Sequence, residues 1–389
     1  MKIQKVSLDH IARLAGVHKA TVSRALRNHP AIPLATRERI KEIARQQGYR
    51  PNPIVSMFQA QARASRPFRM QAAFAWISDY PHPECWRLYP WLRGYLDGAL
   101  QRCEERGYRL EQIQISSEDG LDHAEEVAKI QKMLRSRGIF GVILPLLLHR
   151  QYVDQNWEDC TVAVIGNAHI GPTQGSKGLA ARFYPQGFEI ADRDIYYNMQ
   201  LAIQNLLDLN YKKIGFVYSR YMDDEANGAA QAAYLLQQEA VEEGNRVPIL
   251  FLEKFKEGRP ESFDQWYNTY QPDVIICLNP VIREWLVELG KRVPEDVGLA
   301  NLNLVADVAG WAGINEHHEH IGAASIDLLI GQLSRNEIGM PRSPRKIYVP
   351  GSWANGATLR MPRWQDAIAT TTRVVAPEPA VVSELPVLQ

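Results

Sequence analysis

The sequence predicts a small all-α head followed by a larger α/β body, on three observations. Positive charge is packed into the first 69 residues, apolar stripes at helical spacing crowd the first 50, and from Met70 onward strand-length apolar runs alternate with amphipathic helices. At 389 residues the chain is long enough for two or three domains with a substantial core. Its formal net charge is zero, yet residues 1–69 hold 14 Lys and Arg against 3 Asp and Glu, while the remainder holds 30 against 41. A compact basic head on an acidic body is the electrostatic footprint of a nucleic-acid reader.

Within the head, Leu8, Ile11, Ala12 and Ala15 form one helical stripe, and Val22, Ala25 and Leu26 form a second. Ser7 is placed to cap the first helix, and Gly16 supplies the turn between the two, where a residue without Cβ tolerates positive φ. Two short helices joined this way make a helix-turn-helix, whose second helix can lie in the major groove. A third helix follows, with Ile40, Ile43 and Ala44 inward and Gly48 ending it. Asn52-Pro53 then reads as another helix start, Asn as cap and Pro at the first helical position. That segment is short and holds β-branched Ile54 and Val55, so it should not be a stable helix alone.

In the body, strands are expected over Ala72–Ile77, Leu110–Ile115, Gly141–Leu148, Val162–Ile165, Ile214–Tyr218, Val274–Leu278 and Val297–Leu304. Helical stripes lie between them: Leu92, Tyr95, Leu96, Ala99, Leu100 and Cys103; Val127, Ile130 and Leu134; Ile195, Met199, Ala202, Ile203 and Leu206. This alternation argues for parallel sheets covered by helices on both faces, in two lobes, with ligands at the strand carboxyl ends. Asp79 and Tyr80 follow the first strand, and Trp86, Tyr89 and Trp91 are aromatic platforms of the kind that stack on sugar rings. Asp192 and Trp311 stand near expected crossovers between lobes. These residues are the candidate pocket.

Other chemistries find less support. Glu316-His317-His318-Glu319-His320 resembles a metal cluster but lacks HExxH spacing and reads better as a polar helix start, so no metal is expected. The glycine-rich run from Gly171 to Gly178 carries Lys177 but fails the phosphate-loop spacing. No GxSxG elbow occurs, and no GxGxxG follows a strand, so neither a nucleophile nor a cofactor cradle is in view: no enzyme and no cofactor are expected. Cys85, Cys103, Cys160 and Cys277 are widely spaced, which fits a reducing compartment better than a disulfide framework. The N-terminal run has no apolar h-region, and the apolar run Val142–Leu148 is too short for a bilayer, so neither a signal peptide nor a membrane span is expected.

The run from Ser7 to Leu26, SLDHIARLAGVHKATVSRAL, resembles the head of the lactose-repressor (LacI/GalR) family, and Thr36-Arg37 and Gly48-Tyr49-Arg50-Pro51-Asn52 continue the match without a gap. The resemblance implies a lambda-repressor-like head on a two-lobed core of the type I periplasmic-binding-protein kind. It implies a cytoplasmic homodimer that binds double-stranded operator DNA, with repression the commoner outcome, and a small-molecule effector, of sugar type, in the core. Domains would then run 1–51 (head), 52–69 (hinge and linker), 70–360 (core) and 361–389 (disordered tail).

By the same resemblance His18, Lys19 and Ala20 open the recognition helix, Arg24 is the expected guanine partner, and Thr21 and Ser23 position the helix on phosphates. Asn52 starts the hinge, Val55 falls at a small minor-groove position, and Phe58 stands where the family places an intercalating leucine. In the body, Leu289-Gly290, Val293-Pro294-Glu295-Asp296-Val297 and Gly322-Ala323-Ala324 carry the likeness. Departures fall on the ligand side. Asn279-Pro280 stands where the family has Asn-Asp, so the usual sugar-binding aspartate is absent, although Asn279 stays a candidate contact. The family's pocket arginine has no clear match around Asp223–Gly228. A DNA-binding regulator without an effector, and a solute-binding module without a regulatory role, are the alternatives.

Overall fold

The computed structural model describes residues 8–26, 31–47, 72–79, 89–115, 123–145, 157, 160–166, 187–253, 258–305, 308–335 and 337–360. In the head, α1 (Leu8–Ala15), α2 (Lys19–Leu26) and α3 (Leu34–Gln46) fold around the expected stripes. Ile11, Ala12, Ala15, Val22, Ala25, Ile40 and Ala44 are buried, with Ile43 and Leu26 packed against them. Ile32, ahead of α3, joins this core as well. Gly16 turns the chain at φ +63°, a backbone conformation that costs side-chain-bearing residues energy. Arg39 Nη2 donates to the Ala15 carbonyl at 3.0 Å, which satisfies one of the carbonyls that the end of α1 leaves open. Ser7 and Gly48, expected at helix ends, lie outside the described residues.

The chain divides into two compact units, each holding one six-stranded sheet. The first sheet has the order β11-β5-β4-β3-β1-β2, from β1 (Ala72–Ser78), β2 (Tyr108–Gln114), β3 (Gly141–Leu144), β4 (Thr161–Ile165), β5 (Glu189–Arg193) and β11 (Lys346–Val349). Every neighbouring pair runs parallel. Successive residues of β1 serve opposite cores: Phe74 and Trp76 meet α4 (Pro90–Arg106) and α11 (His318–Arg335), while Ala75 and Ile77 meet α5 (His123–Ser136). That two-sided burial is why β1 reads as a continuous apolar run rather than an alternating one.

Between α4 and α11 the backbones nearly touch. A Cβ at Gly98 would lie 1.8 Å from the Glu319 carbonyl oxygen, and one at Gly322 would lie 2.0 Å from that of Tyr95. Glycine is required at both positions by the neighbour's main chain.

The second sheet has the order β12-β10-β9-β8-β6-β7, from β6 (Ile214–Ser219), β7 (Leu250–Leu252), β8 (Val274–Cys277), β9 (Gly298–Asn301), β10 (Ala312–Asn315) and β12 (Ser352–Ala354). The pairs β6–β8, β8–β9 and β9–β10 run parallel. Val217, Ile275, Cys277 and Leu299 pack beneath Phe263, Trp266 and Tyr267 of α9 (Glu261–Tyr270) and Ile282, Trp285 and Leu286 of α10 (Val281–Glu288). The remaining α-helices among the described residues are α6 (Ile195–Asp208), α7 (Arg220–Glu225) and α8 (Ala229–Glu239).

One expected strand proves too long: the Val297–Leu304 run is strand only from Gly298 to Asn301; β3 closes at Leu144 before Pro145, and residues 146–148 lie outside the described residues. Five strands were not anticipated, namely β5, β7, β10, β11 and β12. Among the described residues no helix is long and apolar enough to cross a membrane.

Candidate nucleic-acid interface and core pocket residues

The exposed face of the head beside the helix-turn-helix is whatever α2 does not spend on packing. Val22 and Ala25 are buried, which fixes the helix rotation and leaves His18, Lys19, Ala20 and Arg24 exposed, with Thr21 half-buried. Ser23 lies on the same helix. No acidic residue occurs on α2, and the two acids of α3 are already engaged: Glu38 by Lys41 at 2.8 Å and Glu42 by Arg45 at 2.7 Å. Arg45 and Gln46 hold the Glu42 carboxyl down at about 2, so it stays anionic and paired. A shallow groove lined by Ala12, Arg13, Gly16, Val17, His18 and Lys19 runs beside the turn into α2. An exposed, cation-bearing helix is what backbone phosphates and base edges require. Asn52, Val55 and Phe58 lie outside the described residues.

The expected pocket residues of the body separate on inspection. Tyr89 and Trp91, both half-buried, come together at the start of α4 with ring centroids 5.6 Å apart. Trp91 in turn meets Tyr95 at 5.9 Å, and Tyr95 meets the edge of His318 at 5.1 Å. His318 Nε2 is 3.4 Å from Glu316 Oε2, and Glu316 Oε1 is 3.5 Å from Arg193 Nε. Asp192 adjoins Arg193, whose backbone N–H donates to Asp192 Oδ1 at 2.8 Å. Aromatic rings thus lead into a buried charged cluster, of which only Tyr89, Trp91 and Asp192 were candidates from the sequence. Arg193 neutralises acids 1 and 123 positions away, and such distant pairing leaves no local pattern to read.

Asp192 itself lies inside β5, paired to β4 and β11, rather than after a crossover. The Glu316–His320 run does start a helix, at His318, but it is not a solvated start: Glu316 and His318 are buried. Among the described residues no group of three or more His, Cys, Asp or Glu is placed to hold a metal ion. Trp311, expected near a crossover, is packed into the apolar core under α9 and α10. Asn279 is half-buried, and its Oδ1 accepts from Val281 N at 3.0 Å, capping α10. Asp79 is buried at the end of β1, while Tyr80 and Trp86 lie outside the described residues.

Burial pushes the Asp192 carboxyl up to about 6, against the opposing pull of Arg193. A carboxyl raised in the fold binds its proton more tightly there than in the unfolded chain. Stability from this group is therefore full below the free carboxylate range and is lost as pH rises through about 6. Asp192→Asn keeps the oxygen that accepts from Arg193 N and removes the buried charge. Relative to the parent it should gain roughly 2 kcal/mol between pH 4 and pH 7. Urea unfolding at the two pH values checks this; an unchanged gap would contradict it.

The comparisons agree with this geometry. Residues 7–52 match the family model "Bacterial regulatory proteins, lacI family". Over 363 residues the chain is 24% identical to the HTH-type transcriptional regulator PtxS of Pseudomonas putida, covering 87% of this chain and 92% of that one. Its fold is similar to that of the lac repressor dimer bound to operator and the anti-inducer ONPF, with TM-score 0.50, 14% identity, and 92% of this chain and 100% of that one covered. It is similar too to a periplasmic binding protein/LacI transcriptional regulator from Alkaliphilus metalliredigens complexed with D-xylulofuranose, with TM-score 0.51, 15% identity, and 75% and 100% covered. A helix-turn-helix head on two parallel-sheet units of the periplasmic-binding-protein kind defines a DNA-binding transcriptional regulator. Residues 7–52 carry the lacI-family likeness, and the rest of the chain is similar in fold to such regulators.

Proposed function

We propose that the protein is a cytoplasmic, homodimeric repressor that reads a pseudo-palindromic operator with one head per half-site and is controlled by a small, sugar-type effector held in the core. The observation that carries the reading is the coincidence of the lacI-family match over residues 7–52 with a folded head that exposes His18, just ahead of α2, and Lys19, Ala20 and Arg24 on it. His18, Lys19, Ala20 and Arg24 read base edges, Thr21 and Ser23 hold phosphates, and Asn52, Val55 and Phe58 form a minor-groove hinge. The working division is head 1–51, hinge 52–69, core 70–360 and tail 361–389. The aromatic pair Tyr89–Trp91, with Asp79 and Asp192, supports a carbohydrate as effector, as does the D-xylulofuranose in the Alkaliphilus relative. Tyr80 and Trp86 are assigned to the same pocket, and Asn279 stays a candidate effector contact.

An effector alters operator affinity only in so far as it binds two arrangements of the core unequally. A thermal-shift screen of the full chain against sugars and nucleosides tests this half of the reading. A ligand at a hundredfold its Kd should stabilise the fold by roughly 2.7 kcal/mol and should change the affinity for DNA. Silence across the library would favour a regulator without an effector, a reading that the engagement of Asn279 in capping α10 also supports.

The DNA half is tested by selecting duplexes from a random-sequence pool with the full chain. Arg24→Ala should lower affinity for the selected duplex by roughly 1–3 kcal/mol while leaving random duplex almost unaffected. An equal loss on both would reduce Arg24 to a phosphate contact.

A further inference from the structure

The recognition helix begins with a histidine in the capping position. His18 immediately precedes α2, and its carbonyl accepts from Thr21 N at 2.8 Å and Val22 N at 3.2 Å, opening the helical ladder. Its side chain also accepts: the backbone N–H of Ala20 donates to His18 Nδ1 at 3.2 Å. A capping atom must offer a lone pair, the role usually filled by a Ser, Asn or Asp oxygen. A neutral imidazole has one lone pair and one N–H, on opposite nitrogens. With the lone pair of Nδ1 engaged by Ala20 N, the proton resides on Nε2.

His18 is exposed, and Nε2 makes no hydrogen bond to any described residue. The rest of the α2 face has the same polarity. Lys19 and Arg24 can only donate, and Ala20 does neither, so the hydroxyls of Thr21 and Ser23 are the only side-chain acceptors on the helix.

We propose that His18 is a specificity residue locked by its cap into a donor-only form, whose Nε2–H grips a hydrogen-bond acceptor on the duplex. The proposal rests on the reading of α2 as the helix that enters the groove. The acceptor is a purine N7, and the amino groups of adenine and cytosine are refused. A purine beneath the start of α2 follows from the same polarity.

The test uses the full chain and the duplex it selects from a random pool, with 7-deazapurine placed at each purine in turn and methylphosphonate at each phosphate in turn. At one position per half-site the analogue should cost the parent about tenfold in affinity and cost His18→Ala nothing. A 7-deazapurine hit names a base N7 as the acceptor and bears the proposal out; a methylphosphonate hit alone makes His18 a phosphate contact and overturns it. His18→Asp keeps a capping oxygen but has no donor, so it should keep the parent's thermal midpoint and bind the duplex at least tenfold more weakly. The proposal is overturned if every analogue costs the parent and His18→Ala alike, or if His18→Asp binds as tightly as the parent. A pool that yields no preferred duplex would remove the groove-entering reading itself, which is a different failure from a selected duplex indifferent to residue 18.

Discussion

Replacing Gly98 by valine is expected to cost roughly 3 kcal/mol or more of stability, and alanine at the same place should also destabilise. In an exposed helix the exchange of glycine for alanine would gain about 1 kcal/mol, because glycine surrenders more backbone freedom on folding. Here the added carbon would overlap the Glu319 carbonyl oxygen at 1.8 Å, and a peptide group cannot swing aside as a side chain can. The whole of α11 would have to lift from α4, opening the core that contains Phe74, Tyr95 and Leu329. Thermal unfolding of Gly98→Ala beside an exposed-helix control such as Gln101→Ala separates the two effects. A rise in midpoint for Gly98→Ala would mean that the helices are not in backbone contact.

The second large effect is expected at Arg335. Glu189 on β5 is fully buried, and Arg335 Nη2 donates to its Oε1 at 2.8 Å; the same guanidinium reaches Glu337 at 2.9 Å. Burial pushes the Glu189 carboxyl above the usual carboxylate range, and Arg335 opposes that shift. Arg335→Met would leave the carboxylate buried and unpaired at a cost of about 3–5 kcal/mol. Glu189→Gln in the same chain should recover most of the loss, since an apolar or neutral replacement of both partners carries no uncompensated charge. Urea unfolding of the two single variants and the double variant checks this. Additive losses would show that the pair is not the source of the cost.

The head was legible in the sequence because its information is local. Ile11, Ala15, Val22, Ala25 and Ile40 follow helical spacing, and the same residues form its core. Ile32 was not, because it sits in the connection ahead of α3, where no periodicity marks it. The central strands were legible as well: β3, β4 and β8 are buried along their whole length and read as unbroken apolar runs. The missed strands carry the opposite signature. β5 contains Glu189, Asp192 and Arg193, charges that become bearable inside a sheet only through Arg335 and Glu316, far away in the chain. β7 and β12 are three-residue edge strands, too short for any alternation to show. The same logic divides the candidate residues. Stacking rings near one another in sequence, such as Tyr89 and Trp91, can be anticipated, whereas the partners Tyr95, His318 and Glu316 are joined only by the packing of α4 on α11.

Paired helical heads should recognise a particular duplex sequence. The most direct test of this recognition is the ratio of affinities of the full chain for its selected duplex and for random duplex of equal length at about 0.15 M salt. A ratio of roughly a thousandfold or more is expected, with two half-sites centred about one helical turn apart. A ratio near one, with the head folded, would contradict it.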